Sequence, residues 1–269
     1  MPIDRPPTDV EAIKALNYQG AFFKKEVLRR LSGKLRVAEE IGARFGQTRV
    51  ADAVAYDGQG LFLVVECKKV AMFKKWVFMK HLQQRYRRSR TLGPKRSVIS
   101  ILDHSPPPHP LVCSEGFEVG WSNKAKAWRA DQDPIFQAAA QLSAAYLGFI
   151  GRRLSEQDAS SDTAETFVPV LVTNAKLAFV QSNFVVNEET GEADSSSKTE
   201  PVPYILLRHP YPQIENGIDF RDGLADDYQQ RYQETIYVVN IGGLNDFLSD
   251  NHRTQLREPE PGINAHNFL

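Results

Sequence analysis

The sequence predicts an α/β domain in which a central mixed β-sheet is flanked by helices. Three observations lead there. Runs rich in β-branched and aromatic residues at 50–56, 61–65 and 167–172 have the length and composition of strands. Two longer stretches, 10–31 and 134–153, repeat apolar residues at helical spacing. Finally, 269 residues with 42% hydrophobic content can bury a core of that size.

Taken in order, residues 10–31 read as helical with a break near Asn17 or Gly20, and 35–43 and 48–56 as strands. The apolar run at 61–65 extends the next strand to 70, giving a helix followed by a meander. Asp57-Gly58-Gln59-Gly60 marks the hairpin between the last two strands, because glycine supplies the positive φ that tight turns need. Residues 91–132 read as irregular, with a strand at 97–102 and a stiff connector at Pro106-Pro107-Pro108. Pro134 opens a helix running to about 153, since proline fits the first helical turn. Strands follow at 167–172 and 178–186, joined by a turn at Asn174. An acidic, serine-rich loop at 188–200 precedes a strand at 204–208. A polar helix at 223–232, a strand at 235–240 and a short helix at 243–248 complete the pattern, and 251–269 carries no strong signal. The expected division is a core over 1–186, with a basic, irregular insertion at about 67–132 overhanging the site. Residues 187–269 form an extension packed on the same domain.

Chemistry concentrates at one place. Folding the 50–65 hairpin about Gly58 and Gln59 brings Asp52 opposite Glu66 or its neighbour, with facing Cβ atoms roughly 4.5–5.5 Å apart. Lys68 shares the face of Glu66, because side chains two apart on a strand point the same way, and Cys67 points to the other. Two carboxylates in one small space are unfavourable without a positive partner; a divalent cation and Lys68 would resolve the conflict. The Cys67 backbone carbonyl is a further candidate metal ligand.

Total charge gives no direction, with 33 Lys and Arg against 33 Asp and Glu. Its distribution does. From Cys67 through Leu102 there is no acidic residue, while Lys69, Lys74, Lys75, Arg85, Arg87 and Arg88 are among the cations crowded there. Phe73, Trp76, Phe78 and Tyr86 are interleaved with them, a combination suited to phosphates and unpaired bases. The competing reading of 75–90 is an amphipathic helix with a solvated basic face. His104, His109 and Cys113 suggest zinc only weakly, because no fourth ligand is evident, and a structural loop is the stronger reading. Two cysteines form no disulfide framework, the start lacks a signal peptide's apolar core, and no segment approaches a membrane span. These point to a reducing cytoplasm. No Walker-type phosphate loop and no Ser-His-Asp or Cys-His arrangement is visible.

An acidic residue, a hairpin, then Glu-x-Lys ending an apolar strand resembles the core of the PD-(D/E)XK, or restriction-endonuclease-like, nuclease superfamily, with Ala51 where the family carries proline. The resemblance spans about residues 18–185. It implies that Asp52 and Glu66 hold one or two Mg²⁺ ions, with Mn²⁺ able to substitute, and that Lys68 assists hydrolysis of DNA phosphodiester bonds leaving a 5′-phosphate. It further implies a role for Glu26, in the helix upstream of the strands, and for Gln137 or Gln141 in the downstream helix, with Gln141 favoured. An endonuclease effector of a restriction or antiphage system is the implied activity, with a helicase, ATPase or sensor as partner and a homodimer permitted. The alternatives are a nuclease-fold module that binds nucleic acid without cutting, and an interaction subunit docking through 155–269.

Overall fold

The computed structural model describes residues 8–41, 51–80, 88–91, 96–100, 112–156, 165–180, 192, 198–210 and 233–257. The protein is a mixed α/β structure with helices against both faces of its sheet. Helices α1 (Asp9–Gln19) and α2 (Ala21–Ser32) meet at Gly20, where the sequence places the break. Thr8 caps α1 in a reciprocal capping box with Glu11, so its first backbone donors are satisfied. Strands β1 (Arg36–Ile41), β2 (Ala51–Tyr56) and β3 (Leu61–Lys68) then form the antiparallel meander. In the β2–β3 loop, Asp57 Oδ1 accepts the backbone N–H groups of Gln59 and Leu61 at 2.7 and 3.0 Å, while Gly58 and Gly60 take positive φ.

The sheet is wider than the meander. Strands β4 (Lys75–Lys80), β5 (Arg88–Thr91), β6 (Arg96–Ser100), β7 (Val112–Ser122) and β8 (Ala127–Asp131) precede α3 (Asp133–Glu156). After it come β9 (Glu165–Thr173), β10 (Lys176–Val180), β11 (Thr199–Pro201), β12 (Tyr204–Pro210) and β13 (Gln233–Asn240). A 3-10 turn, Ile241–Gly243, leads into α4 (Leu244–Phe247) and α5 (Asp250–Arg257). Among the described residues the strands join in one branched sheet along the path β1-β2-β3-β9-β13-β12-β7-β4-β10-β11, with β6 also on β9 and β8 on β7. Pro169 lies on β9 between the residues paired to β6 (Glu165 to Phe167) and those paired to β13 (Val170 to Thr173). A residue without an N–H is tolerated in this central strand because that flank changes partner there.

Two cores lie on opposite faces of the sheet. Phe62 and Val64 of β3 face a cluster built by α3, with Trp76, Phe78, Leu142 and Tyr146, whereas Leu61, Leu63 and Val65 face Val27, Leu28 and Leu31 of α2 together with Phe247 and Leu256. Burial on both sides is why the β3 sequence is continuously apolar instead of alternating. Tyr146 closes the α3 side by donating its hydroxyl to the Phe167 carbonyl at 3.1 Å.

Several expectations are corrected. Residues 75–80 are not the start of an amphipathic helix. Their alternation buries Trp76 and Phe78 in the sheet as β4, between β7 and β10. The region read as irregular contains β7 and β8, which belong to the sheet. Their apolar signal is diluted by Gly116, Gly120 and Glu118. Gly116 is required by packing, since a Cβ there would sit 2.6 Å from Cε1 of Phe78. Likewise β12 and β13 lie inside the sheet, and polar residues 250–257 form α5, anchored by buried Leu256. The helix expected at 223–232 lies outside the described residues. Among the described residues no helix is long and apolar enough to cross a membrane.

The contact at Gly116 has a measurable consequence. Gly116→Ala drives a methyl into the Phe78 ring and should destabilise the protein by about 1–3 kcal/mol through overpacking. Urea denaturation checks this: an unchanged midpoint would show that β4 and β7 do not pack as described.

Candidate functional site

β2 begins and β3 ends at the same end of the sheet. Ala53 lies opposite Val65, so one step further along this register Asp52 comes opposite Glu66. The backbone amide of Asp52 favours the charged form of the Glu66 carboxyl. Asp52 in turn reaches across the strand pair: its Oδ2 accepts the backbone N–H of Cys67 at 2.8 Å, and its Oδ1 lies 3.0 Å from Nζ of Lys24. Both side chains of that ion pair are mostly shielded, at 20% and 24% exposure.

Glu66 carries the electrostatic cost of this arrangement. Burial, then the Asp52 charge, push its carboxyl up to about 7 from 4.5. The charge of Lys24, the Asp52 N–H and the charge of Lys68 pull it back, in that order of weight. The group therefore changes protonation near neutral pH. At Cys67, burial above all raises the thiol well beyond its ordinary range, with Asp52 and Glu66 adding to the effect. This side chain packs against the α2-side core as expected. The backbone N–H of Cys67 donates to Asp52, so the residue is not isolated from the carboxylate pair.

Lys24 is the residue that sequence reasoning missed. The signal was present: Lys24, Val27, Leu28 and Leu31 stand at i, i+3, i+4 and i+7, so the lysine shares the inward stripe of α2. Glu26 falls off that stripe. Both its oxygens accept from Arg29 (2.7 and 2.8 Å), Arg30 adds a third bond, and these hold its carboxyl down at about 2. Arg30 also donates to the Ile241 carbonyl, so Glu26 belongs to a cluster tying α2 to the turn before α4. Glu26 is not brought to Asp52.

The downstream helix is present, with Gln137 exposed and Gln141 half-buried, but neither hydrogen-bonds Asp52, Glu66 or Lys68. Among the described residues no group of three or more His, Cys, Asp or Glu side chains is gathered to hold a metal. The acidic side chains that the strand pair brings together are thus Asp52 and Glu66. The zinc reading gains nothing: Cys113 is buried in the α3-side core, and His104 and His109 lie outside the described residues.

Three lysines expected on the nucleic-acid path already have partners within the chain. Lys69 donates to the Asn17 carbonyl at the end of α1, Lys74 pairs with buried Glu118, and Lys75 donates to Thr199 Oγ1 at 2.8 Å. Arg85 and Arg87 lie outside the described residues. Arg88 opens β5, opposite Ser100. Trp76 and Phe78 are core residues and so are not available to bases, whereas Phe73 is exposed.

Comparison of the chain with protein-family models, curated proteins and solved structures finds no match.

Glu66 makes stability depend on pH in a defined direction. Its value in the folded protein is raised above the ordinary one, so its stabilising contribution is complete below about 4.5 and disappears as pH rises through about 7. In a chelator, wild type should lose up to about 3 kcal/mol relative to Glu66→Gln across that window. Urea denaturation of both proteins from pH 4 to pH 8 measures it; a difference that stays constant with pH would place Glu66 in water, away from Asp52.

Proposed function

We propose that the protein is a metal-dependent nuclease that hydrolyses DNA phosphodiester bonds. The observation that carries this reading is the Asp52–Glu66 pair, two carboxylates at the paired ends of β2 and β3 with Glu66 shifted to about 7 by burial and by its neighbour. Such a pair gains from a cation. Mg²⁺ needs only one or two protein carboxylates because it keeps waters and takes substrate phosphate oxygens, so a site short of three acidic side chains suits it. Asp52, Glu66 and the Cys67 carbonyl would hold it, and Mn²⁺ would substitute. Bound there, it supplies Lewis-acid polarisation of the phosphate and a water of lowered pKa.

The chain's own residues complete the chemistry. Lys68, beyond Glu66 on β3, faces charge that grows on the phosphate oxygens and stabilises it more in the transition state than in the ground state. Lys24 fixes the Asp52 carboxylate, together with the Cys67 N–H. The order of elements supports the resemblance stated above: a helix, three antiparallel strands with Glu-x-Lys at the end of the third, a later helix and a core strand parallel to β3. On this reading the enzyme is an endonuclease of a restriction or antiphage system, working with a helicase, ATPase or sensor.

One observation favours the non-cleaving alternative. The Lys24 ammonium already lies on Asp52, which is how a site that never binds a cation would compensate its charge. Metal binding decides. On the nuclease reading, Mn²⁺ or Mg²⁺ raises the Tm of wild type at pH 8, and Glu66→Ala removes the increase; absence of any increase in wild type supports the binding module.

Cleavage gives the direct test. Asp52→Ala and Glu66→Ala should each abolish Mg²⁺-dependent cutting of plasmid and linear DNA while the fold persists. Lys68→Ala should bind DNA nearly normally yet cut on the order of a hundredfold more slowly. Wild-type cutting rate should climb as pH passes about 7, where Glu66 ionises. Undiminished cutting by either carboxylate variant would overturn the assignment.

A further inference from the structure

The β7–β8 hairpin extends past the last β4–β7 pair, Lys75 with Val119. Four of the five β8 residues are exposed. Trp121 and Trp128 stand directly opposite each other on it, their rings edge-to-face with centroids 5.8 Å apart, yet they remain 50% and 64% exposed. Two large aromatic side chains left together in water are unusual, because burying them is worth far more than their mutual contact. The charges around them have one sign at the tip. Lys124 and Lys126 occupy the turn, Arg129 follows on β8, and the acidic residue of β7 nearest the ribbon, Glu118, is buried at its root against Lys74 and Trp76.

The hairpin's root lies at the end of the sheet that carries the carboxylates. β3 ends at Lys68, a six-residue turn follows, and β4 starts at Lys75 opposite Val119 of β7. Within that turn Lys74 runs its stem along Gly120, where a Cβ would lie 3.2 Å from the lysine's Cγ, and Phe73 beside it is exposed. Exposed aromatic rings therefore stand on both the turn and the ribbon.

We propose that the Trp121–Trp128 hairpin is a stacking platform for an unpaired nucleic-acid strand, which it directs toward the Asp52–Glu66 end of the sheet. Aromatic faces stack on any base, and Lys124, Lys126 and Arg129 meet the phosphates, a pairing that serves single strands because a duplex presents no free base faces. The platform names the substrate form of the nuclease reading and rests on it for the direction of the strand, but base stacking is testable without any chemistry.

The full-length protein is titrated in EDTA, where no metal supports cleavage, with oligothymidylate and with a duplex of equal length. Oligothymidylate should quench tryptophan fluorescence saturably, leaving the emission of buried Trp76, and should bind at least tenfold more tightly than the duplex. Trp121→Ala and Trp128→Ala should each weaken single-strand binding on the order of tenfold. Trp121→Phe and Trp128→Phe, which preserve the aromatic pair and the ribbon, should each lose the replaced ring's share of the quenching and keep most of the affinity. Equal affinity for duplex and single strand, or no quenching in wild type, overturns the platform, as does a change of mass in light scattering when Trp128 is replaced, which would make the hairpin a contact between copies of the chain. If single-strand binding behaves as stated while Mg²⁺ supports no cleavage, the platform stands and the nuclease reading falls. Cleavage by the Asp52–Glu66 site that is indifferent to all four tryptophan variants gives the reverse.

Discussion

The rest of the structure depends on burying β3 from both sides. Its five leading residues are apolar, and Phe62 and Val64 point to the α3 layer while Leu61, Leu63 and Val65 point to the α2 layer. Each such side chain gains roughly 1.5–3 kcal/mol when fully buried, against about 1–2 kcal/mol to fix a residue's backbone. The balance is favourable only if both faces are covered. This requires a helix layer on each side of the strand and neighbours along both edges, which β2 and β9 provide. The parallel β3–β9 pairing also demands a long crossover, and β4 to β8 together with α3 are inserted in it.

The site follows from where that apolar strand stops. Its last three residues, Glu66, Cys67 and Lys68, are only half-buried, but their backbone is held in the ladder with Leu171, Val172 and Thr173. Burial is accordingly the first cause of the Glu66 shift and the Asp52 charge the second. The two carboxylates are unequal. Asp52 has an ammonium group and a backbone N–H on its oxygens, whereas Glu66 feels both lysines from further away. A ligand with positive charge would be drawn first to Glu66.

Legibility in the sequence tracked how local the determining physics was. The break near Gly20, the Asp57–Gly60 loop, the start of α3 near Pro134 and, to within one residue, the Asp52–Glu66 register were set by local turn and cap chemistry, and could be read. β7 could not, because its defining contact is Phe78 lying over Gly116, 38 positions away and invisible to periodicity. The basic segment misled for a related reason. Its lysines suggested phosphate, but Lys74 neutralises a buried glutamate and Lys69 caps the end of α1, partners that only the tertiary fold supplies. Lys24 was legible and overlooked: attention to acidic residues on α2 drew the eye to Glu26, although helical spacing puts Lys24 on the buried stripe.

The turn at 69–74 explains why the carboxylate end and the hairpin can act as one surface. It is fixed at its first residue by Lys69 on the Asn17 carbonyl and at its last by Lys74 on Glu118. Glu118 in turn accepts the indole N–H of Trp76 at 3.1 Å, so the root of the ribbon is tied into the core through a buried polar link. Val70 adds a third tether, its N–H donated to Asn174 Oδ1 at 2.7 Å while Asn174 Nδ2 donates back to its carbonyl at 3.0 Å. A segment held at both ends and near its start transmits position with little slack. The distance between Glu66 and the tryptophan pair is therefore set by the fold itself, and a strand stacked on the ribbon would meet the carboxylates in one register instead of sampling many.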